Sequence, residues 1–177
     1  GNGLVKAQAL IEVWPMEMEQ ANPNEESLAR RPWKRGRALP RLSVLLVEDD
    51  PTITQVVSRN LTGRGYRFYQ SATATEAIDA AMRLQPDLLL LDINLPDRSG
   101  WDVLRQLKSR GVEIPTAVVS AVRVSPARLE EFHPVAYLPK PFPIEALLRV
   151  VADAAARKKR EKTDMGSRGP SATAGGR

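Results

Sequence analysis

The stretch SVLLVEDDPTITQVV, Ser43 to Val57, runs four apolar residues straight into three adjacent carboxylates, Glu48, Asp49 and Asp50. An unbroken apolar run of that length suits a strand buried on both faces rather than one. Two like charges ~4 Å apart repel by about 1 kcal/mol in water and about four times that at a protein surface. Three acids at the end of a buried strand are therefore either splayed into solvent or held for a cation. Asp50-Pro51 also has the form of a helix start, with an acidic cap and Pro in the first turn. Asp50 is assigned to that cap. Ile53, Val56, Val57 and Leu61 then form the apolar stripe of the helix, and Gly63 ends it.

Working outward, strands and helices alternate. YRFYQ, residues 66–70, reads as a second strand and TATEAIDAAMRL as a second helix, with Ala74, Ala77, Ile78 and Ala81 on one face. LLLL, residues 88–91, is the most buried strand candidate and stops at Asp92. After the loop INLPDRSG comes the helix WDVLRQLKSR, stopped by Gly111. TAVVS is a fourth strand, SPARLEEF a short helix capped by Ser125, and VAYL a fifth strand. PIEALLRVVADAAARKK carries Ile144, Leu147, Leu148, Val151, Ala152 and Ala155 at helical spacing. Five strands alternating with helices argue for an α/β fold, a doubly wound parallel sheet with helices on both faces. In such folds ligands sit at the carboxyl ends of the strands.

Those ends carry a consistent chemistry. Strand one ends in Glu48-Asp49-Asp50, strand three in Asp92 and strand four in Ser120, and strand five is followed by Lys140. Each residue alone has a plainer reading as a turn residue, helix cap or loop lysine. Together they converge on one edge as several carboxylates, a hydroxyl and an ammonium. Hard oxygen donors suit Mg²⁺, which keeps waters and takes one or two carboxylates. A lone Asp beside such a cation and a Lys is a competent nucleophile for a phosphoryl group.

Composition bounds the alternatives. The chain has 177 residues, 42% of them hydrophobic, and no cysteine, so disulfide and thiolate chemistry are excluded. No apolar run approaches a membrane span. The start, GNGLVKAQALIEV, shows neither a basic leader nor a small-residue cleavage site. A cytoplasmic location and no membrane partner are expected. Net charge is +5, but residues 42–156 hold 12 Lys/Arg against 14 Asp/Glu. The basic character belongs to the flanks, so nucleic acid is not expected as a partner of the middle.

Residues 1–41 are read as a flank and linker: a weak helical stripe at Leu4, Ala7, Leu10, Ile11 and Trp14, then a polar, Pro-punctuated segment with the basic patch RRPWKRGR. Residues 42–158 form the folded domain, and 159–177 are expected to be a disordered basic tail.

The segment from Leu42 to Ala156 resembles the receiver domain of two-component response regulators. LLVEDDP is similar to the family's acidic first-strand motif. LLLLDINLPDRSGWDVL is similar to its phosphoacceptor segment, with the D-x-x-L-P-x-x-x-G pattern. VVSA resembles the switch hydroxyl followed by a small residue, YLPKPF the Lys-Pro motif, and GYRFYQSATATEAI the stretch after the first helix. The resemblance implies a flavodoxin-like sheet of order 2-1-3-4-5.

It also implies roles for individual residues. Asp92 would be the phosphoacceptor. Asp49 would bind Mg²⁺ directly and Glu48 through water, and Asn94 would offer its backbone carbonyl. Ser120 and Lys140 would hold phosphoryl oxygens, and Tyr137 would be the switch aromatic. The Lys140-Pro141 bond would be cis. The implied partners are a histidine kinase or phosphotransfer protein and a downstream protein target, with a homodimer left open. Two departures stand out: His133-Pro134-Val135-Ala136 replaces the usual Gly-Ala before strand five, and the fourth helix is short.

Competing readings remain in view. A phosphohydrolase of the haloacid-dehalogenase type would carry a second Asp two residues after the first, and Asn94 stands there. A receiver-like interaction module could hold nucleic acid through its basic flanks. GNGL at the start resembles the last glycine box of a kinase ATP domain, which keeps the C-terminal receiver of a hybrid histidine kinase in play, although the following residues do not sustain the match. His133, the only histidine, reads as a surface loop residue and Trp101 as packing beside the site.

Overall fold

The computed structural model describes residues 42–167. The expected N-terminal stripe, the RRPWKRGR patch and the last ten residues lie outside the described residues. Within them the order is β1 (Ser43–Val47), α1 (Pro51–Gly63), β2 (Arg67–Ser71), α2 (Ala74–Leu84), β3 (Leu88–Asp92), α3 (Gly100–Ser109), β4 (Thr116–Ser120), α4 (Pro126–Phe132), β5 (Ala136–Pro139) and α5 (Ile144–Ser167). The sheet is all parallel with order β2-β1-β3-β4-β5, as expected.

Side-chain alternation along the strands explains why both faces are covered. Val44 and Leu46 of β1, Leu88 and Leu90 of β3, and Ala117 and Val119 of β4 point to one face. There they meet Val57 and Leu61 of α1 and Leu147 and Val151 of α5. Leu45, Val47, Leu89 and Leu91 point the other way, onto the small side chains of α2 (Ala74, Ala77, Ala81) and onto Val103 and Leu107 of α3. The alanines let α2 lie close to the sheet. Leu88, Leu89, Leu90 and Leu91 are all 0% exposed, and burying each contributes about 2 kcal/mol.

A third cluster gathers Ile93, Trp101 and Val118 with Phe132 and Tyr137. Trp101 stacks on Phe132 with ring centroids 5.1 Å apart, so it packs as expected and also joins α3 to α4. Helix α4 is indeed short, seven residues, and buries none of them. His133 closes it in the left-handed region at φ 47°, exposed at the surface.

The C-terminal boundary differs from expectation. Helix α5 continues through Lys159 to Ser167 instead of giving way to a disordered tail. The segment RKKREK is made of good helix formers, and Gly166 is the first breaker after Ile144. Lys158 also ties this turn to the domain, with Nζ 2.5 Å from the Asp87 carboxylate.

Candidate functional site

The opening cluster of acids is divided between two tasks. Asp50 caps α1, accepting from the Thr52 N–H at 2.7 Å and the Ile53 N–H at 3.4 Å. The Thr52 hydrogen bond is the chief reason its carboxyl sits below the ordinary range. Glu48 turns inward and is 4% exposed, while Asp49 faces solvent. One carboxylate oxygen from each of Glu48, Asp49 and Asp92 lies within 4.8 Å of the others.

β1 and β3 are adjacent and parallel, which is why their acidic ends meet. The Lys140 ammonium, just past β5, bridges two of them: Nζ donates to Glu48 Oε2 at 2.6 Å and to Asp92 Oδ2 at 2.6 Å. All three side chains are largely buried. Burial lowers the Lys140 pKa, but the hydrogen bonds to Asp92 and Glu48 outweigh it and the net direction is upward. Glu48 is pushed up, chiefly because burial penalises its charge more than Lys140 supports it. A divalent cation would supply what one ammonium shared between carboxylates does not. The donor set, all carboxylate oxygen, fits a hard cation such as Mg²⁺.

Backbone geometry holds Asp92 in place. The Asn94 N–H donates to Asp92 Oδ1 at 2.9 Å. The β3–α3 loop is pinched at its base by the bridge between Asn94 and Ser99 and by the Gly100 N–H donating to the Ile93 carbonyl at 2.9 Å. A side chain at Gly100 would put its Cβ 2.3 Å from the Asp92 carbonyl oxygen. The glycine of the D-x-x-L-P-x-x-x-G pattern is thus required by the approach of α3 to the strand end.

Ser120 ends β4 and is 1% exposed, and its carbonyl accepts the Lys140 N–H at 2.8 Å. Its hydroxyl accepts the Val122 N–H at 3.2 Å. The Tyr137 hydroxyl donates to the Val122 carbonyl at 3.2 Å. The backbone N–H and C=O of the single residue Val122 therefore connect the two residues expected to form the switch, a link that sequence reasoning missed. The Lys140-Pro141 bond is cis.

Residues 44–152 match the family model described as response regulator receiver domain. The chain belongs to the response regulator receiver domain family. The receiver domain is 35% identical over 114 residues to the DNA-binding dual master transcriptional regulator RpaA of Synechocystis, an alignment covering 62% of this chain and 46% of that protein. It is 35% identical over 109 residues to the response regulator MprA of Mycobacterium leprae, covering 60% and 48%. The chain spans about half the length of the curated relatives it matches. Among solved structures it resembles a CheY-like response regulator receiver domain protein from Methanospirillum hungatei, at 25% identity and TM-score 0.62, covering 68% of this chain and 98% of that one. It also resembles the HemR receiver domain from Leptospira biflexa, at 26% identity and TM-score 0.60, covering 65% and 94%. Among the described residues no helix of this receiver domain is long and apolar enough to cross a membrane.

Proposed function

We propose that this receiver domain accepts a phosphoryl group on Asp92 from a histidine kinase or phosphotransfer protein, with Mg²⁺ bound, and signals through a change at Ser120 and Tyr137. The observation that carries the reading is the Lys140 ammonium 2.6 Å from both Glu48 and Asp92, with Asp49 beside them. That grouping juxtaposes a nucleophilic carboxylate, a fixed positive charge and spare oxygen ligands. A groove of about 820 Å³, walled in part by Thr54, Ser58 and Arg59 of α1 and by Ser71, opens beside Glu48 and Asp49 and offers a partner's side chain an approach.

In the proposed step an Asp92 oxygen attacks the phosphorus of a phosphohistidine. The new O–P bond forms as the P–N bond breaks, and the electron pair returns to the imidazole nitrogen, which takes a proton from water. Asp49, Asp92 and the Asn94 carbonyl would hold Mg²⁺, with Glu48 acting through water, and the ion would neutralise charge on the transferred oxygens. Lys140 stays charged and pairs with a phosphoryl oxygen. The Asn94 N–H keeps the carboxylate oriented. The Ser120 hydroxyl, which accepts the Val122 N–H, still has its own proton to donate, and a phosphoryl oxygen on Asp92 would accept it and draw the side chain toward the site. Because the Val122 carbonyl also holds Tyr137, that displacement has a route to the β4–α4 loop and β5.

The proposed downstream target is a protein that reads this altered face, and the proposed setting is the cytoplasm. The test is intact-mass measurement after exposure to acetyl phosphate and Mg²⁺. Wild type is expected to gain one phosphate, EDTA to prevent it, and Asp92→Asn to abolish it. Sustained release of inorganic phosphate from a generic phosphomonoester, dependent on Asp92, would instead support a hydrolase.

A further inference from the structure

The acceptor loop carries a second acid with no part in the charge cluster. Asp97 lies near the tip of the β3–α3 loop and reaches across to the start of α2. Its Oδ1 accepts the Ala74 N–H at 2.8 Å, and its Oδ2 accepts the Thr75 N–H at 3.0 Å and the Thr75 hydroxyl at 2.8 Å. Helix α2 already has its own cap, since the Thr73 side chain accepts the Glu76 N–H at 3.2 Å and the Glu76 carboxylate accepts the Ala72 N–H at 2.9 Å. Asp97 therefore takes the helix donors that the local cap leaves over. Both of its oxygens are used, and the acid is held well below the usual carboxylate range, first by the Ala74 hydrogen bond.

The consequence lies at the other end of the loop. Base and tip are fixed separately: the base by the Asn94–Ser99 bridge and the Gly100 N–H, the tip by Asp97 on α2. Asn94 is itself part of the base anchor, three residues before Asp97, and orients Asp92 through its N–H. We propose that Asp97 is a positioning residue for the cation and acceptor site, clamping the acceptor loop to the N-terminus of α2 so that the Asn94 backbone is pre-set for Asp92 and a divalent ion. The inference rests on the phosphoacceptor reading for its functional consequence, but not for the clamp itself. Outer partners that orient metal ligands typically change affinity by about 10- to 100-fold.

The experiment compares wild type with Asp97→Ala, Asp97→Asn and Thr73→Ala in the full chain. Thr73→Ala weakens the same helix start without touching the loop, and so controls for a merely structural effect. Two measurements need no phosphorylation: amide hydrogen exchange at Asn94 and Gly100, and Mg²⁺ titration followed by the amide resonances of residues 92–94. The third is the Mg²⁺ dependence of phosphate uptake from acetyl phosphate. Asp97→Ala is expected to speed loop exchange and weaken Mg²⁺ binding by about tenfold, with uptake restored at high Mg²⁺. Asp97→Asn, which keeps an acceptor for the Ala74 N–H, recovers most of both, and Thr73→Ala leaves both near wild type. The proposal is overturned if Asp97→Ala binds Mg²⁺ within twofold of wild type, or if Thr73→Ala matches its losses. A wild-type chain that binds Mg²⁺ yet takes no phosphate defeats the phosphoacceptor reading alone, and the first two measurements still decide the clamp.

Discussion

Lys140 Nζ lies 2.6 Å from Asp92 Oδ2, bringing together residues 48 positions apart in the chain. The same ammonium also neutralises Glu48, so its removal would leave buried carboxylates facing one another. Lys140→Ala is expected to lower stability at neutral pH by about 3 kcal/mol, since breaking a buried pair leaves an uncompensated charge. Mg²⁺ is expected to recover part of the loss. Urea denaturation with and without Mg²⁺ measures both effects, and an unchanged midpoint contradicts the arrangement.

Asp49 predicts the opposite sign. It is exposed, close to two other carboxylates, and has no task in capping α1. Asp49→Asn should raise metal-free stability by about 1 kcal/mol through relief of repulsion. The same substitution should abolish the rise in Tm that Mg²⁺ produces in wild type. Thermal scans across a Mg²⁺ series test the pair of effects together.

The sheet makes a more ordinary prediction. Leu90 is fully buried between α1, α5 and the neighbouring strands. Leu90→Ala should cost about 3 kcal/mol, measured as a shift of the urea midpoint with unchanged m-value.

Much of this was legible in the sequence, because burial on two faces and strand-end chemistry both leave local marks. VLLV and LLLL show unbroken apolar runs, and the doubly wound rule then says where Asp92, Ser120 and Lys140 must gather. Asp50 was separable from its neighbours because Pro51 marks a helix start. Other features had no such mark. Asp97 looks like any turn residue in LPDRSG, and its partners lie 22 and 23 residues upstream. Val122 joins Ser120 to Tyr137 through backbone groups that every residue possesses. The extension of α5 was misread because a charged composition suits both a solvated helix and a disordered tail.

Asp87 gives a pH dependence away from the site. Burial raises its pKa, but hydrogen bonds from Lys158 and from the Ser43 N–H and hydroxyl, both at 2.7 Å, outweigh it and lower the carboxyl below its ordinary value. A depressed folded-state pKa contributes stability above the unfolded value of about 3.9 and loses it as pH falls through the folded value. Asp87→Asn should therefore be less stable than wild type at pH 7 and converge with it under acid conditions. Urea midpoints from pH 7 down to about pH 2 follow the two curves; a constant gap across the range contradicts the assignment.

The most direct test of the central claim is to locate the phosphoryl group. Borohydride reduces an aspartyl phosphate to homoserine, which tandem mass spectrometry places in the sequence. After phosphorylation with acetyl phosphate and Mg²⁺, homoserine is predicted at position 92 alone. Homoserine at 49 or 97, or phosphoserine at 120, would contradict the account.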